Sequence, residues 1–339
     1  MMQFKETILN TNYGSGCNSL FDVYRNNLDN KLYLVSSNYK NCSLDIILLE
    51  NNNPLIASLK GHTNEILSVR YFFNEITKEE FIISSDMDKH VIVWNIHDKF
   101  NIDFNCIIEY SSFCHIYSCI ITNIQQFNYV ITSCYADSIY NNKDIKDDLT
   151  KMYSLMNKDY IKDVYYTETN YTRYMLSWYN NSDENTYIIE LCDSKISINN
   201  LLKKKNYCVL KSEYNNEEFL TGFLYKKDEK DYLITGSWNG YVRIWDLDEK
   251  TQINFLQTDD VQLYNIIPWT GKSVVIAYKF IKKIKIMDIK YCEIVTELEN
   301  NKLEEIKCII KKIKHPRYGN SLITCSENGE INLFILKEK

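Results

Sequence analysis

One pattern constrains this chain more than any other: a strand, a tight turn and a second strand ending in a large side chain, written several times over. Residues 81–95 (FIISSDMDKHVIVWN) and 232–246 (YLITGSWNGYVRIWD) align closely, and residues 322–334 (LITCSENGEINLF) repeat the pattern with Phe in place of Trp. Each copy is a β-branched or aromatic run, then Asn, Asp, Ser or Gly, then another run. Helical periodicity is nowhere sustained, so the class is all-β.

The pattern sets a register for the whole chain. The residues at the Trp position are Leu48, Trp94, Tyr153, Asn199, Trp245, Met287 and Phe334, at intervals of 46, 59, 46, 46, 42 and 47. The long interval carries an insertion at about residues 138–149, placed in a turn between two strands. Its polar composition, around Asp144 and Ile145, reads as a displayed loop. Seven evenly spaced positions imply seven repeats.

Lys60-Gly61-His62 with Trp94-Asn95, and Trp245-Asp246 in a later copy, resemble the WD40-repeat family. Its units run about 40–45 residues, from a Gly-His near the start to a Trp-Asp near the end. The resemblance covers essentially residues 1–339 and implies a single seven-bladed β-propeller. Few residues follow Phe334, so the last blade needs an outer strand from elsewhere. Residues 3–9 are expected to supply it, closing the ring and removing an open edge.

The resemblance also implies a structural hydrogen-bond tetrad of His62, Ser84, Asp88 and Trp94, with Asp88 six residues and Ser84 ten residues before the Trp. A Ser, His and Asp set otherwise suggests a hydrolase. Here it is expected to satisfy polar groups buried between strands. The sequence holds no Walker A loop, G-x-G-x-x-G fingerprint, nucleophile elbow or H-E-x-x-H. No catalytic residue, cofactor or metal is expected. Cys106, Cys114, His115 and Cys119 cluster locally, but their spacing fits no common zinc site.

A propeller of this family is expected to act as a protein-interaction scaffold, binding a peptide segment or protein surface on its top face. Turns between second and third strands emerge there, which nominates Met87, Asp144, Ile145, Trp238, Lys282 and Lys283. Trp238 stands out because Trp is the strongest anchor type once a partner buries it. A second reading comes from charge. The net charge is -6, yet from Lys272 to Arg317 twelve basic residues face six acidic ones. That stretch nominates blades 6 and 7 for RNA, ribonucleoprotein or another acidic partner. A propeller enzyme or small-ligand binder is a third reading. No apolar run approaches membrane-helix length and no signal-peptide core opens the chain, so a cytoplasmic or nuclear location is expected. Partner identity and oligomeric state are not legible.

Overall fold

The computed structural model describes residues 3–9, 21–50, 53–108, 114–136, 150–157, 160–165, 172–200, 203, 205–214, 217–258, 262–269, 272–278, 283–299, 311–315, 319–325 and 331–337. They build seven four-stranded antiparallel sheets, and chain order is strand order in all but one. We call the sheets blades 1 to 7 and their strands first, second, third and outer.

The chain divides into two compact units, Met1–Ser58 with Glu217–Lys339, and Leu59–Asn216. The first unit holds blade 1 (Phe21–Arg25, Leu32–Asn38, Ser43–Leu48, Leu55–Lys60), the boundary falling inside its outer strand. It also holds blade 5 (Phe219–Lys227, Lys230–Ser237, Tyr241–Asp246, Thr251–Gln257) and blade 6 (Leu263–Pro268, Ser273–Tyr278, Lys283–Asp288, Glu293–Glu299). Blade 7 completes it with Lys311–His315, Gly319–Cys325 and Ile331–Lys337. The second unit holds blade 2 (Ile66–Phe73, Glu80–Asp86, His90–Asn95, Asn101–Ile107) and blade 3 (Cys114–Ile124, Phe127–Ala136, Thr150–Ser154, Tyr160–Tyr165). Blade 4 (Thr172–Asn180, Asn185–Cys192, Lys195–Asn200, Lys205–Lys211) ends it.

Blade 7 breaks the order. Its outer strand is Gln3–Leu9, antiparallel to the third strand in an unbroken register from Gln3↔Lys337 to Leu9↔Ile331. This is the closure expected from the sequence. Without it the strand Ile331–Lys337 would present a row of unpaired backbone donors and acceptors.

All seven Trp-position residues lie on third strands. Their partners on the second strands are Tyr33, Ile82, Val130, Ile188, Leu233, Val274 and Leu322. The outer strand bulges at this same level in blades 2 to 6, where the register steps past Asp103, Ile161, Tyr207, Ile253 and Val295. An extra residue on one strand sharpens its twist and turns its side chain. The bulge therefore follows the repeat even where the Trp is lost. The insertion of blade 3 falls between its second and third strands, and residues 137–149, including Asp144 and Ile145, lie outside the described residues.

The core lies between neighbouring blades rather than within one sheet. Phe81, Ile83, Val91 and Val93 of blade 2 pack against Ile121, Val130 and Tyr153 of blade 3. Ile234, Val242 and Ile244 of blade 5 meet Ile266, Val274, Ile276 and Met287 of blade 6. Phe21 and Leu34 of blade 1 share a cluster with Ile313, Ile323 and Leu333 of blade 7. A sheet covered on both faces buries alternate residues of both sets, so second and third strands read as near-continuous apolar runs.

Candidate functional site: the blade 2 tetrad and the turns between second and third strands

In blade 2 the Trp94 indole Nε1–H donates to Ser84 Oγ at 3.1 Å, and Ser84 Oγ lies 2.7 Å from His62 Nε2. His62 Nδ1 lies 2.8 Å from Asp86 Oδ2. With the imidazole proton on Nδ1, Ser84 donates to Nε2 while accepting from Trp94, so every group is satisfied. Gly61 packs closely against the network: a Cβ there would come within 2.9 Å of Ile92 Cδ1 and 3.0 Å of Trp94 Cη2, so those side chains would have to shift.

The acid of this network is Asp86, not Asp88. Asp88 is exposed at the turn, where its carboxylate accepts from Asn64 Nδ2 at 3.0 Å and Thr63 Oγ1 at 3.4 Å. Asp86 is buried at the end of the second strand. Two residues beyond Ser84 on a pleated strand, it points to the same face and reaches His62. Its Oδ1 also accepts the backbone N–H groups of Asp88 and His90, at 3.0 Å each. Desolvation works against its charge, but the His62 hydrogen bond and charge outweigh it and hold the carboxyl below its ordinary value.

Asp86→Ala is thus expected to strand the His62 donor and two turn amides, costing about 3 kcal/mol. Asp88→Ala, a surface change, should cost less than about 0.5 kcal/mol. Urea midpoints of the two variants check this, and equal losses would return the role to Asp88. The Ser–His–Asp spacing resembles that of a hydrolase triad, but Ser84 is fully buried and its oxygen already serves Trp94 and His62.

Other blades keep the position and change the chemistry. In blade 5, Trp245 Nε1 donates to Thr235 Oγ1 at 3.0 Å, and Ser237 replaces Asp86, its Oγ accepting the Tyr241 amide at 3.2 Å. Beside them lies a buried ion pair: Arg243 Nε reaches both Glu217 oxygens at 3.0 Å, and its Nη2 donates to Glu217 Oε2 at 2.7 Å. Arg243 Nη1 donates to Gln252 Oε1 at 2.5 Å, and the guanidinium sits near the Tyr241 and Phe255 rings.

In blade 4, Asn199 stands at the Trp position and Glu190 at that of Ser84. Asn199 Nδ2 donates to Glu190 Oε2 at 2.8 Å, and Thr150 of blade 3 donates to Oε1. Burial pushes the Glu190 carboxyl up to about 7, against the pull of these two donors and of Lys195. The sequence signal for both sites was a charged residue on an otherwise apolar strand.

Trp238 and Met87 occupy equivalent places, each in its own unit. Each backbone N–H donates at 2.9 Å to the carbonyl just ahead of the first strand, that of Glu218 for Trp238 and of Glu65 for Met87. Trp238 is 44% exposed, Met87 less so. His115 Nδ1 lies 3.0 Å from the Met87 carbonyl, holding that turn to blade 3, a role not read from the sequence. Lys283 begins the third strand of blade 6, and Lys282 lies outside the described residues.

Several cations of the Lys272-to-Arg317 stretch are engaged by groups of the same protein. Lys285 is buried and pairs with Glu297 at 3.5 Å, and Lys311 pairs with Asp22 at 3.2 Å. The Lys312 ammonium donates to the Trp269 carbonyl and sits over its ring, and burial lowers its pKa. Lys272 and Lys290 are exposed. Among the described residues, no group of three His, Cys, Asp or Glu side chains could hold a metal ion.

The family model described as "WD domain, G-beta repeat" matches residues 53–95 and 227–246. No curated protein matches the chain in sequence. Among solved structures, the chain is similar to BBS1N in its crystal structure "in complex with ARL6DN, soaked with lead", with a TM-score of 0.70 and 8% identity over 99% of this chain and 98% of that one. The mercury-soaked counterpart gives 0.69 and 9% identity over 99% and 97%. At such identity the likeness shows the fold, an all-β seven-bladed propeller.

Proposed function

This chain is a WD40-repeat β-propeller, and from that premise we propose that it works as a non-catalytic scaffold that holds another protein on the ends of its blades. The observation that carries the reading is Trp238. A large indole stands 44% exposed on a turn whose backbone is pinned to Glu218. Exposing it costs hydrophobic free energy that a bound partner would recover. Because the turn is already ordered, little conformational entropy is lost when a partner covers it.

The proposed contact surface is the end of blades 5 and 6 that carries Trp238 and the turn leading into Lys283. Indole supplies the anchor and the lysines the orientation. Met87 and the loop around Asp144 and Ile145 are the corresponding candidates of the other unit. The similar fold in BBS1N, crystallised with a second protein, is consistent with this use of such a scaffold. A scaffold needs neither cofactor nor metal, and a cytoplasmic or nuclear setting suits it.

Trp238→Ala is expected to weaken capture of the main cellular partner by about 2 kcal/mol, roughly thirtyfold, with little change in melting temperature. Quantitative affinity capture from the native cell, wild type beside variant, reads this directly. An unchanged partner profile would remove the function from this surface.

A further inference from the structure

At the opposite end of blades 5 and 6, where first-to-second and third-to-outer turns emerge, a cleft of about 290 Å³ opens between the two sheets. Its inner wall is apolar and aromatic: Tyr225 and Tyr232, a cross-strand pair with ring centroids 6.3 Å apart, the buried Ile244, and Ile289. Its outer wall is Ile253, the bulged residue of the blade 5 outer strand, 53% exposed although it faces this apolar margin.

Three ammonium groups, Lys227, Lys272 and Lys290, complete the lining. Lys272 is exposed and makes no ion pair among the described residues. Lys290 Nζ lies 3.1 Å from the Tyr291 hydroxyl and over that ring. Lys227 has Asp228 at 3.8 Å, an exposed pair that gains little. Other carboxylates at this end are engaged: Asp288 Oδ1 accepts the Lys290 and Tyr291 amides at 2.8 and 3.0 Å, Asp246 pairs with Lys230 at 3.4 Å, and Glu229 lies 3.7 Å from Lys226. Cations therefore line a pocket whose floor is apolar.

We propose that this cleft binds an acidic peptide segment of a partner protein, with one aromatic or branched apolar side chain entering against Tyr225, Ile244 and Ile289 and flanking carboxylates meeting Lys227, Lys272 and Lys290. Charge complementarity selects the acidic segment. The volume suits one or two side chains rather than a folded surface. The exposed edge of Thr251–Gln257 beside the cleft offers a path for an extended chain. This site is separate from the Trp238 surface, at the other end of the same blades.

A randomised nonapeptide display library selected against the full chain tests it. Binders are expected to carry Asp or Glu around an apolar centre. Their affinity should fall at least tenfold in Lys272→Glu with Lys290→Glu, and again in Ile253→Asp, and weaken steeply with salt. All three positions are exposed, and unchanged thermal melting confirms that the variants fold. Trp238→Ala should leave these peptides bound, which separates this site from the proposed scaffold surface. A selection yielding only peptides indifferent to both changes, or neutral and basic ones, would overturn the proposal. So would a mixed RNA oligonucleotide pool that binds the wild type and is released by the lysine changes.

Discussion

Glu217→Ala is expected to destabilise the protein by about 3–5 kcal/mol, the cost of leaving a buried charge without its partner. Arg243 and Glu217 are both essentially fully buried, and three of the guanidinium bonds end on that carboxylate. Alanine leaves the cation with Gln252 and two aromatic rings, in a place water does not reach. Replacing both partners together, Arg243→Leu with Glu217→Leu, should recover much of the loss, because a buried pair gains little over apolar groups of similar size. Urea midpoints for the singles and the double form a cycle that isolates the coupling. A single variant that unfolds at the wild-type midpoint would show that the pair contributes nothing.

Removing residues 1–10 is expected to cost at least about 5 kcal/mol, from seven lost register pairs at near 1 kcal/mol per net hydrogen bond. The freed edge of Ile331–Lys337 should also recruit other chains, so aggregation on heating accompanies the loss. A synthetic peptide of residues 1–10 added in excess should restore part of the melting temperature, since it can occupy the vacant strand position. A truncated protein that melts like the intact one would mean that the pairing contributes no stability.

Much of the fold was legible because the repeat is periodic and the periodicity is physical. Asn199 and Met287 look nothing like Trp, yet each lies on a third strand opposite an outer-strand bulge, where the spacing places it. The tetrad was legible in kind but missed by two residues. Spacing counted back from Trp94 passes through a turn, and a turn can lodge an acid as easily as a strand end can. Strand alternation from Ser84 would have chosen Asp86.

For the Arg243–Glu217 pair the sequence showed only half: Arg243 stands out on an apolar strand, but Glu217 lies 26 residues away, ahead of the strand Phe219–Lys227, and no motif connects the two. The basic stretch misled in part: Lys285, Lys311 and Lys312 read as surface charge but bind their own protein, a distinction that composition does not carry. The exposure of Trp238 was legible only as a place in the register. How far the ring stands out depends on the neighbouring turns.

The pairing of Gln3–Leu9 with Ile331–Lys337 also orders events during synthesis. Gln3–Leu9 leaves the ribosome before any strand of blades 1 to 6, and Gln3 meets its partner only after Lys337 has emerged. Blades 1 to 6 draw their strands from consecutive chain and can assemble in turn as they appear. Throughout that time the early strand must stay uncommitted, and the incomplete chain carries an unsatisfied edge available to whatever is near. Closing a loop of this length costs little more entropy than closing one of half the size, so the delay is one of sequence and not of thermodynamics. Conditions that slow elongation should lengthen the exposure of nascent chains to chaperones and to one another, without altering the finished molecule.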